Sequence, residues 1–407
     1  MTPNKTAPIS LYPHQLANAK RLVKSVRTAG AAIDASDTGT GKTFTSLAVA
    51  EALGLKPFII CPLSVGPGWV SKHEALGSSH DSLSWLNYES ARRKLPSLPA
   101  DSLVIFDEAH RIGGPDTLQA QMARDLADRF PVLFLSATPF DSPMRTRAVL
   151  HALGKVDWHD WYAKIPAMGC RRAKWLPGSP WTWDGKPAGL NALKAMVSPH
   201  MTTTRWTEVS GFPDILIQPV AVPVDKLKVV RAMLAAVHSN PLAETTKQRQ
   251  ALELLRVPAM VEMTADLIAE GKRVVAFFNF TAPLLAYAKK VKCSALHGET
   301  PSYERTAMLE GFQRNDNSVL ALNAQAGGEG IDLHDEHGHG QVVELLSPPH
   351  NPVTYKQCIG RVHRVGSHTK AIVRPVYLAG TIEETKVLPA ILRKAENIET
   401  LTEQDLM

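Results

Sequence analysis

Apolar positions along this chain gather into short runs separated by stretches of helical period. Ala31–Ala35, Pro57–Cys61, Leu103–Phe106 and Val132–Leu135 read as strands of a buried sheet, because each is a brief apolar run bounded by turn-forming or charged residues. Ser84–Glu89 reads as a further short strand. Leu16–Val26 and Phe44–Leu53 carry the helical spacing between them. The second half repeats the theme. Lys272–Phe278 and Val319–Leu322 read as strands, and Lys226–Val237 and Ala243–Glu270 as helices, the longer one with apolar positions at Leu252, Leu255, Val261 and Leu267. The segment from Thr381 to Leu401 reads as a closing helix. Strands alternating with helices predict an α/β chain built on parallel sheets.

Three stretches add chemistry at the predicted strand ends of the first half. Ser36-Asp37-Thr38-Gly39-Thr40-Gly41-Lys42-Thr43 follows the first strand and opens a helix. Gly39, Thr40 and Gly41 would let backbone N–H groups close around phosphate oxygens, with the helix adding the positive end of its dipole. Lys42 would reach the β and γ phosphates, and Thr43 would hold Mg²⁺ through its hydroxyl. Ser36 stands where the strict pattern has its first glycine. Asp107-Glu108-Ala109-His110 ends the third run. Asp107 suits the Mg²⁺ that bridges nucleotide phosphates, Glu108 suits a general base on the attacking water, and His110 suits a coupling role. Ser136-Ala137-Thr138 ends the fourth, where Ser136 and Thr138 bring two hydroxyls to the cleft. Upstream, Gln15 can read the edge of adenine with its amide beside the apolar face of Tyr12; a solvated glutamine at a helix start is the plain alternative. Ser64 closes the second run, at a strand end that faces the cleft in open α/β sheets.

Length and charge narrow the setting. A chain of 407 residues has room for two to three domains. A net charge of +6 and a pI near 9.0 permit an anionic polymer as partner without requiring one. Cys61, Cys170, Cys293 and Cys358 show no C-x-x-C spacing, so they read as reduced thiols rather than a zinc site or disulfide framework. No stretch reads as a signal core or a membrane span, which predicts a cytoplasmic protein without a membrane partner. The region from Trp158 to Trp206 is rich in tryptophan, interleaved with Arg171, Arg172 and Lys174. Such a mixture can stack bases and grip phosphate, or build a small core.

Gln15, the Gly39–Thr43 loop, Asp107-Glu108-Ala109-His110 and Ser136-Ala137-Thr138 together resemble the first RecA-like lobe of superfamily 2 helicases and translocases. The second half resembles the matching lobe. It carries Leu296-His297-Gly298-Glu299-Thr300, Phe312-Gln313, the run Ala326-Gly327-Gly328-Glu329-Gly330-Ile331-Asp332-Leu333, and Gln357-x-x-Gly360-Arg361-x-x-Arg364. The last of these, with Thr381-Ile382-Glu383-Glu384, is similar to the Swi/Snf-type branch. The resemblance implies two RecA-like lobes with a helical, Trp-rich insertion between them: lobe 1 over 1–154, insertion and linker over 155–250, lobe 2 with a C-terminal brace helix over 251–407. Arg205-Trp206 and Phe212-Pro213 look like the family's link into the second half.

It further implies ATP and Mg²⁺ as cofactors, Arg361 and Arg364 as arginine fingers, Gly330 and Asp332 beside the nucleotide, and Gln357 in coupling. Ser64, His297 and Asn323 fall at nucleic-acid contact positions, although Asn323 stands where the family often has a hydroxyl residue. Ser136-Ala137-Thr138 departs from the Thr-Gly-Thr usual in the Swi/Snf branch. The implied activity is a DNA-stimulated ATPase that translocates on duplex or forked DNA, as a monomeric motor with room for protein partners. A faint likeness of the insertion to annealing-helicase relatives points to fork or recombination intermediates. The alternatives are a strand-separating DNA or RNA helicase and a nucleotide-regulated DNA-binding scaffold.

Overall fold

The computed structural model describes residues 10–63, 65–77, 83–140, 143–172, 181–183, 187–327, 331–349 and 351–389. Among the described residues the chain divides into two compact units, the first up to Val209 and the second from Ser210 onward. Each is a parallel sheet flanked by helices, the α/β architecture of a RecA-like lobe.

In the first unit the sheet contains β1 (Ala31–Asp34), β2 (Lys56–Cys61), β3 (Ser84–Asn87), β4 (Ser102–Asp107) and β5 (Val132–Leu135). Between β5 and the last strand of this sheet, Cys170–Arg172 (β6) and Trp181–Trp183 (β7) form a separate antiparallel pair. β8 (Met201–Thr202) then returns to the sheet, whose order is β3-β2-β4-β5-β1-β8. Alternate residues of each strand pack on opposite faces: Ile33, Val104 and Phe106 join one apolar cluster, Ala32, Ile105 and Leu133 the other. Burial on both faces is why these strands read as continuous apolar runs. Register sets the C-terminal edge level, with Leu135 opposite both Asp34 and Asp107. The helices α1 (Pro13–Ala29), α2 (Lys42–Leu53) and α3 (Gly66–Leu76) complete the frame around this edge.

The second sheet has β9 (Ile215–Ile217), β10 (Val220–Val222), β11 (Arg273–Phe278), β12 (Ser294–Leu296), β13 (Val319–Asn323), β14 (Val342–Leu346) and β15 (Ala371–Leu378). Its order is β10-β15-β14-β11-β13-β12, with β9 also on β15. The predicted long helix is a single element, Pro241–Ala269, that continues through Pro258.

The segment between 155 and 250 is shared by the two units. Among the described residues its N-terminal part holds short helices, the β6–β7 pair and β8, and it packs on the rest of the first unit through Arg147. That guanidinium donates to the Trp158 carbonyl at 2.7 and 3.0 Å and lies 4.0 Å from the Trp158 ring. Trp158 and Trp161 are buried against Arg147, so this end of the Trp-rich region builds core, whereas Arg171 and Arg172 are exposed and Lys174 lies outside the described residues. Among the described residues no helix is long and apolar enough to cross a membrane.

Candidate active site

The phosphate loop leaves β1 and enters α2. Gly39 and Gly41 both adopt positive φ, +83° and +89°, which turns the loop back over the start of the helix. A Cβ on Gly41 would lie 2.0 Å from the Gln15 amide nitrogen, so a side chain there would displace Gln15, and the φ of +89° is itself strained for any residue but glycine. Gln15 donates to the Thr40 carbonyl at 3.3 Å, and its own amide oxygen accepts the Tyr12 N–H at 2.9 Å. The glutamine therefore touches the loop itself, and the plain alternative of a solvated side chain does not hold, since Gln15 is buried. Lys42 Nζ donates to the carbonyls of Ser36 and Asp37 at 2.7 and 3.0 Å. Thr43 occupies the first turn of α2.

Asp107 ends β4 level with the base of the loop. One carboxylate oxygen accepts the Trp69 indole N–H from α3 at 2.8 Å; the other accepts the Glu108 N–H at 2.9 Å. Burial raises its proton affinity, the Glu108 charge adds to that, and the Trp69 hydrogen bond and Lys42 oppose it. Glu108 adopts a left-handed conformation (φ 51°, ψ 52°), unusual for a non-glycine residue, that turns the chain sharply off the strand. The turn places its carboxylate 3.3 Å from His110 Nδ1, which in turn lies 3.4 Å from Ser136 Oγ. Ser136 Oγ accepts the Thr138 N–H at 3.1 Å. Glu108, His110, Ser136 and Thr138 thus form one chain of contacts from the end of β4 to the end of β5.

Arg361 and Arg364 both direct guanidinium groups at the Ile331 carbonyl, 3.4 and 3.3 Å away, and Arg364 also pairs with Asp332 at 2.8 Å. Asp332 is therefore brought to Arg364. Gln357 is buried on the helix Pro352–Val362, which also carries Arg361. His297 follows β12, with its N–H donated to Thr300 Oγ1 at 3.0 Å. Asn323 ends β13, its amide bonded to the Asn279 carbonyl and the Gln325 N–H at 3.2 and 3.0 Å, so both ends of this side chain order the backbone beside it. Ser64 and Gly330 lie outside the described residues.

The profile of the helicase conserved C-terminal domain family matches residues 257–366. The chain is 25% identical to an Acanthamoeba polyphaga mimivirus protein bearing the name ATP-dependent RNA helicase L364, over 97% of this chain and 84% of that one. It is 23% identical to the Caenorhabditis elegans homolog of SWI/SNF-related matrix-associated actin-dependent regulator of chromatin subfamily A-like protein 1, over 92% of this chain and 59% of the relative. By these likenesses this chain is similar to the Swi/Snf type of superfamily 2 helicases. It is accordingly an ATP-hydrolysing enzyme. A Sulfolobus solfataricus SWI2/SNF2 ATPase core solved in complex with dsDNA is 18% identical, with a TM-score of 0.44, covering 98% of this chain and 96% of that chain.

Several groups around this site carry little or no functional signal in the sequence. Trp69 is buried in the core, as its apolar character predicts, yet its N–H is spent on Asp107. Tyr88 donates its hydroxyl to the Asp107 carbonyl at 2.8 Å. Asn18 donates to Ser36 Oγ and Thr204 Oγ1 at 3.3 and 2.8 Å. For Asn18 a signal existed: it lies three residues after Gln15, on the same helix face.

Proposed function

We propose that this Swi/Snf-type ATPase is stimulated by DNA and translocates on double-stranded or branched DNA as a monomeric motor, remodelling it. The observation that carries this reading is the contact chain from Glu108 through His110 to Ser136. It gives a candidate base a histidine partner and a route to the neighbouring strand end, as a motor that couples hydrolysis to movement needs.

The residues fit a magnesium nucleotide. The glycine loop turns through positive φ at Gly39 and Gly41, and Thr43 and Asp107 offer one hydroxyl and one carboxylate, few enough for a cation that keeps phosphate and water oxygens. Mg²⁺ would neutralise charge building on the phosphates. Lys42 would exchange its loop carbonyls for phosphate oxygens. Glu108 would orient the attacking water and accept its proton, with His110 fixing the carboxylate. Arg361 and Arg364, carried by the second unit, would stabilise the transferring γ-phosphoryl group, and Gln15 would read the adenine. Gly330 and Asp332 would lie beside the nucleotide, and Gln357 would relay closure. Ser64, His297 and Asn323 would contact the nucleic-acid backbone, giving binding with weak sequence preference.

The mimiviral relative's name and the Ser136-Ala137-Thr138 tripeptide favour one second reading, a strand-separating helicase acting on DNA or RNA. Steady-state ATP hydrolysis with duplex, forked or single-stranded DNA or RNA at fixed salt separates the two: stimulation chiefly by duplex or fork supports translocation, and stimulation chiefly by single strands supports strand separation. For the base, Glu108→Gln is expected to lower kcat by about 10²–10³-fold with little change in KM. Unchanged turnover in that variant refutes the catalytic assignment.

A further inference from the structure

The chain that leaves the first unit is fastened at both ends to segments that the proposed function makes catalytic. At its start, the Thr202 and Thr204 carbonyls accept the N–H groups of Ala35 and Asp37 at 2.8 and 2.9 Å. Asp37 returns the contact, one carboxylate oxygen accepting the Trp206 N–H at 3.3 Å. Asn18 locks the same place from α1, donating to Thr204 Oγ1 at 2.8 Å and Ser36 Oγ at 3.3 Å. Asn18, Ser36 and Thr204 are all buried. Ser36, the residue that replaces the usual glycine, thus has a partner that glycine could not engage. The phosphate loop is held from behind along its first residues.

At the far end the same stretch of chain meets the arginines. The Pro213 carbonyl lies 2.7 Å from His363 Nε2, and the Phe212 ring meets the His363 imidazole edge-on, with centroids 4.7 Å apart. His363 stands between Arg361 and Arg364 in sequence and is itself buried. Burial holds its pKa down to about 4, so at neutral pH the uncharged ring donates its Nε2–H to Pro213. Between the two anchor points Thr207, Glu208, Ser210 and Gly211 are exposed, with Val209 buried between them.

We propose that residues 202–213 form a strap of fixed length that links the phosphate loop to the arginine segment, with Asn18, Thr204 and His363 as its positioning residues. The inference rests on the reading that both segments act on one nucleotide. Nucleotide held in the loop then biases the chain that positions the arginines, and the short connection limits the arrangements the two segments sample. Lengthening the strap multiplies those arrangements while leaving each anchor intact.

The test compares wild-type protein with a variant carrying Gly-Ser-Gly-Ser inserted between Ser210 and Gly211, measuring Mg·ADP affinity, duplex DNA affinity and kcat with saturating duplex. The expected result is nucleotide and DNA affinities within about twofold of wild type and a kcat lower by about tenfold or more. A kcat within about twofold overturns the strap. Thr204→Val and Thr204→Ser form an independent pair that keeps the strap's length. Valine, which removes the oxygen accepting from Asn18, is expected to raise KM for ATP by about tenfold, and serine, which keeps it, to restore the wild-type value. Equal KM values in all three overturn the anchor. Absence of ATP hydrolysis by the wild type would instead sink the underlying reading, and the strap with it.

Discussion

Asp107 shows how much of a catalytic carboxylate's behaviour is decided by its neighbours. Burial works against its charge, and the Trp69 N–H is one of two hydrogen bonds that favour it. Trp69→Phe keeps most of the apolar volume in the core but leaves one carboxylate oxygen without its donor. The expected outcome is a Mg²⁺ concentration for half-maximal ATP hydrolysis raised by about tenfold, read from a magnesium titration at saturating ATP, with the fold intact by circular dichroism. An unchanged Mg²⁺ dependence would confine Trp69 to packing. Sequence reading reached Asp107, Glu108 and His110 because adjacent acids at the end of an apolar run are chemically conspicuous. Trp69 reads from the sequence as a packing residue, because an indole on a helix carries the same signal whether or not its N–H has a task. Asn18 and Thr204 escaped for a different reason: they are 186 positions apart in the chain, and only the return of β8 to β1 brings them together.

At the scale of elements, apolar patterning located β1 to β5 of the first sheet and β11 and β13 of the second, where runs of apolar residues are bounded by turns, but not β12, which precedes His297, nor β14 and β15. It gave no warning of Glu344, a carboxyl in the middle of β14. Both of its oxygens are buried without a partner among the described residues, and its register neighbours are Val275 and Val373. Burial alone lifts its pKa well above the usual carboxylate range. Between the unfolded and folded values the native state keeps a proton that the unfolded chain has released, so stability is greatest at low pH and falls as pH rises through the folded pKa. Glu344→Gln fixes the uncharged form. Its melting temperature is expected to match wild type near pH 5 and to exceed it by a few degrees at pH 8, by calorimetry across that range. A pH-independent difference would mean that Glu344 is already relieved.

The second unit also holds a paired buried charge. Arg256, on the long helix, bonds Glu383 and Ser347, and Glu383 takes the Leu378 N–H at 3.0 Å, tying the end of β15 to that helix. The Thr381-Ile382-Glu383-Glu384 segment, read from sequence as part of a brace, has this contact as its physical content within residues 381–389; the rest of the predicted helix lies outside the described residues. Arg256→Met strands a carboxylate in the core and is expected to cost about 3–5 kcal/mol in urea unfolding. Arg256→Met with Glu383→Leu removes both charges and should recover much of that loss.

Across the whole molecule the groups proposed to bind nucleotide and those proposed to stabilise its transition state are divided between the units. Gln15, Lys42, Thr43, Asp107 and Glu108 belong to the first, Arg361 and Arg364 to the second. This division makes a kinetic prediction that a site confined to one unit would not. Arg361→Ala leaves every first-unit contact with the loop in place, so affinity for Mg·ADP is expected to stay within about threefold of wild type. Turnover is another matter, because a guanidinium delivered to the γ phosphate acts on charge that develops only in the transition state, and its loss is expected to lower kcat by about 10³-fold. Lys42→Ala should do the converse, weakening nucleotide binding itself. Stopped-flow measurement of fluorescent ADP binding alongside steady-state hydrolysis reads both quantities on the same protein. If Arg361→Ala weakens binding as much as it slows turnover, the arginine holds the ground-state nucleotide or its own fold, including the Ile331 carbonyl it now contacts, and the finger role falls to Arg364.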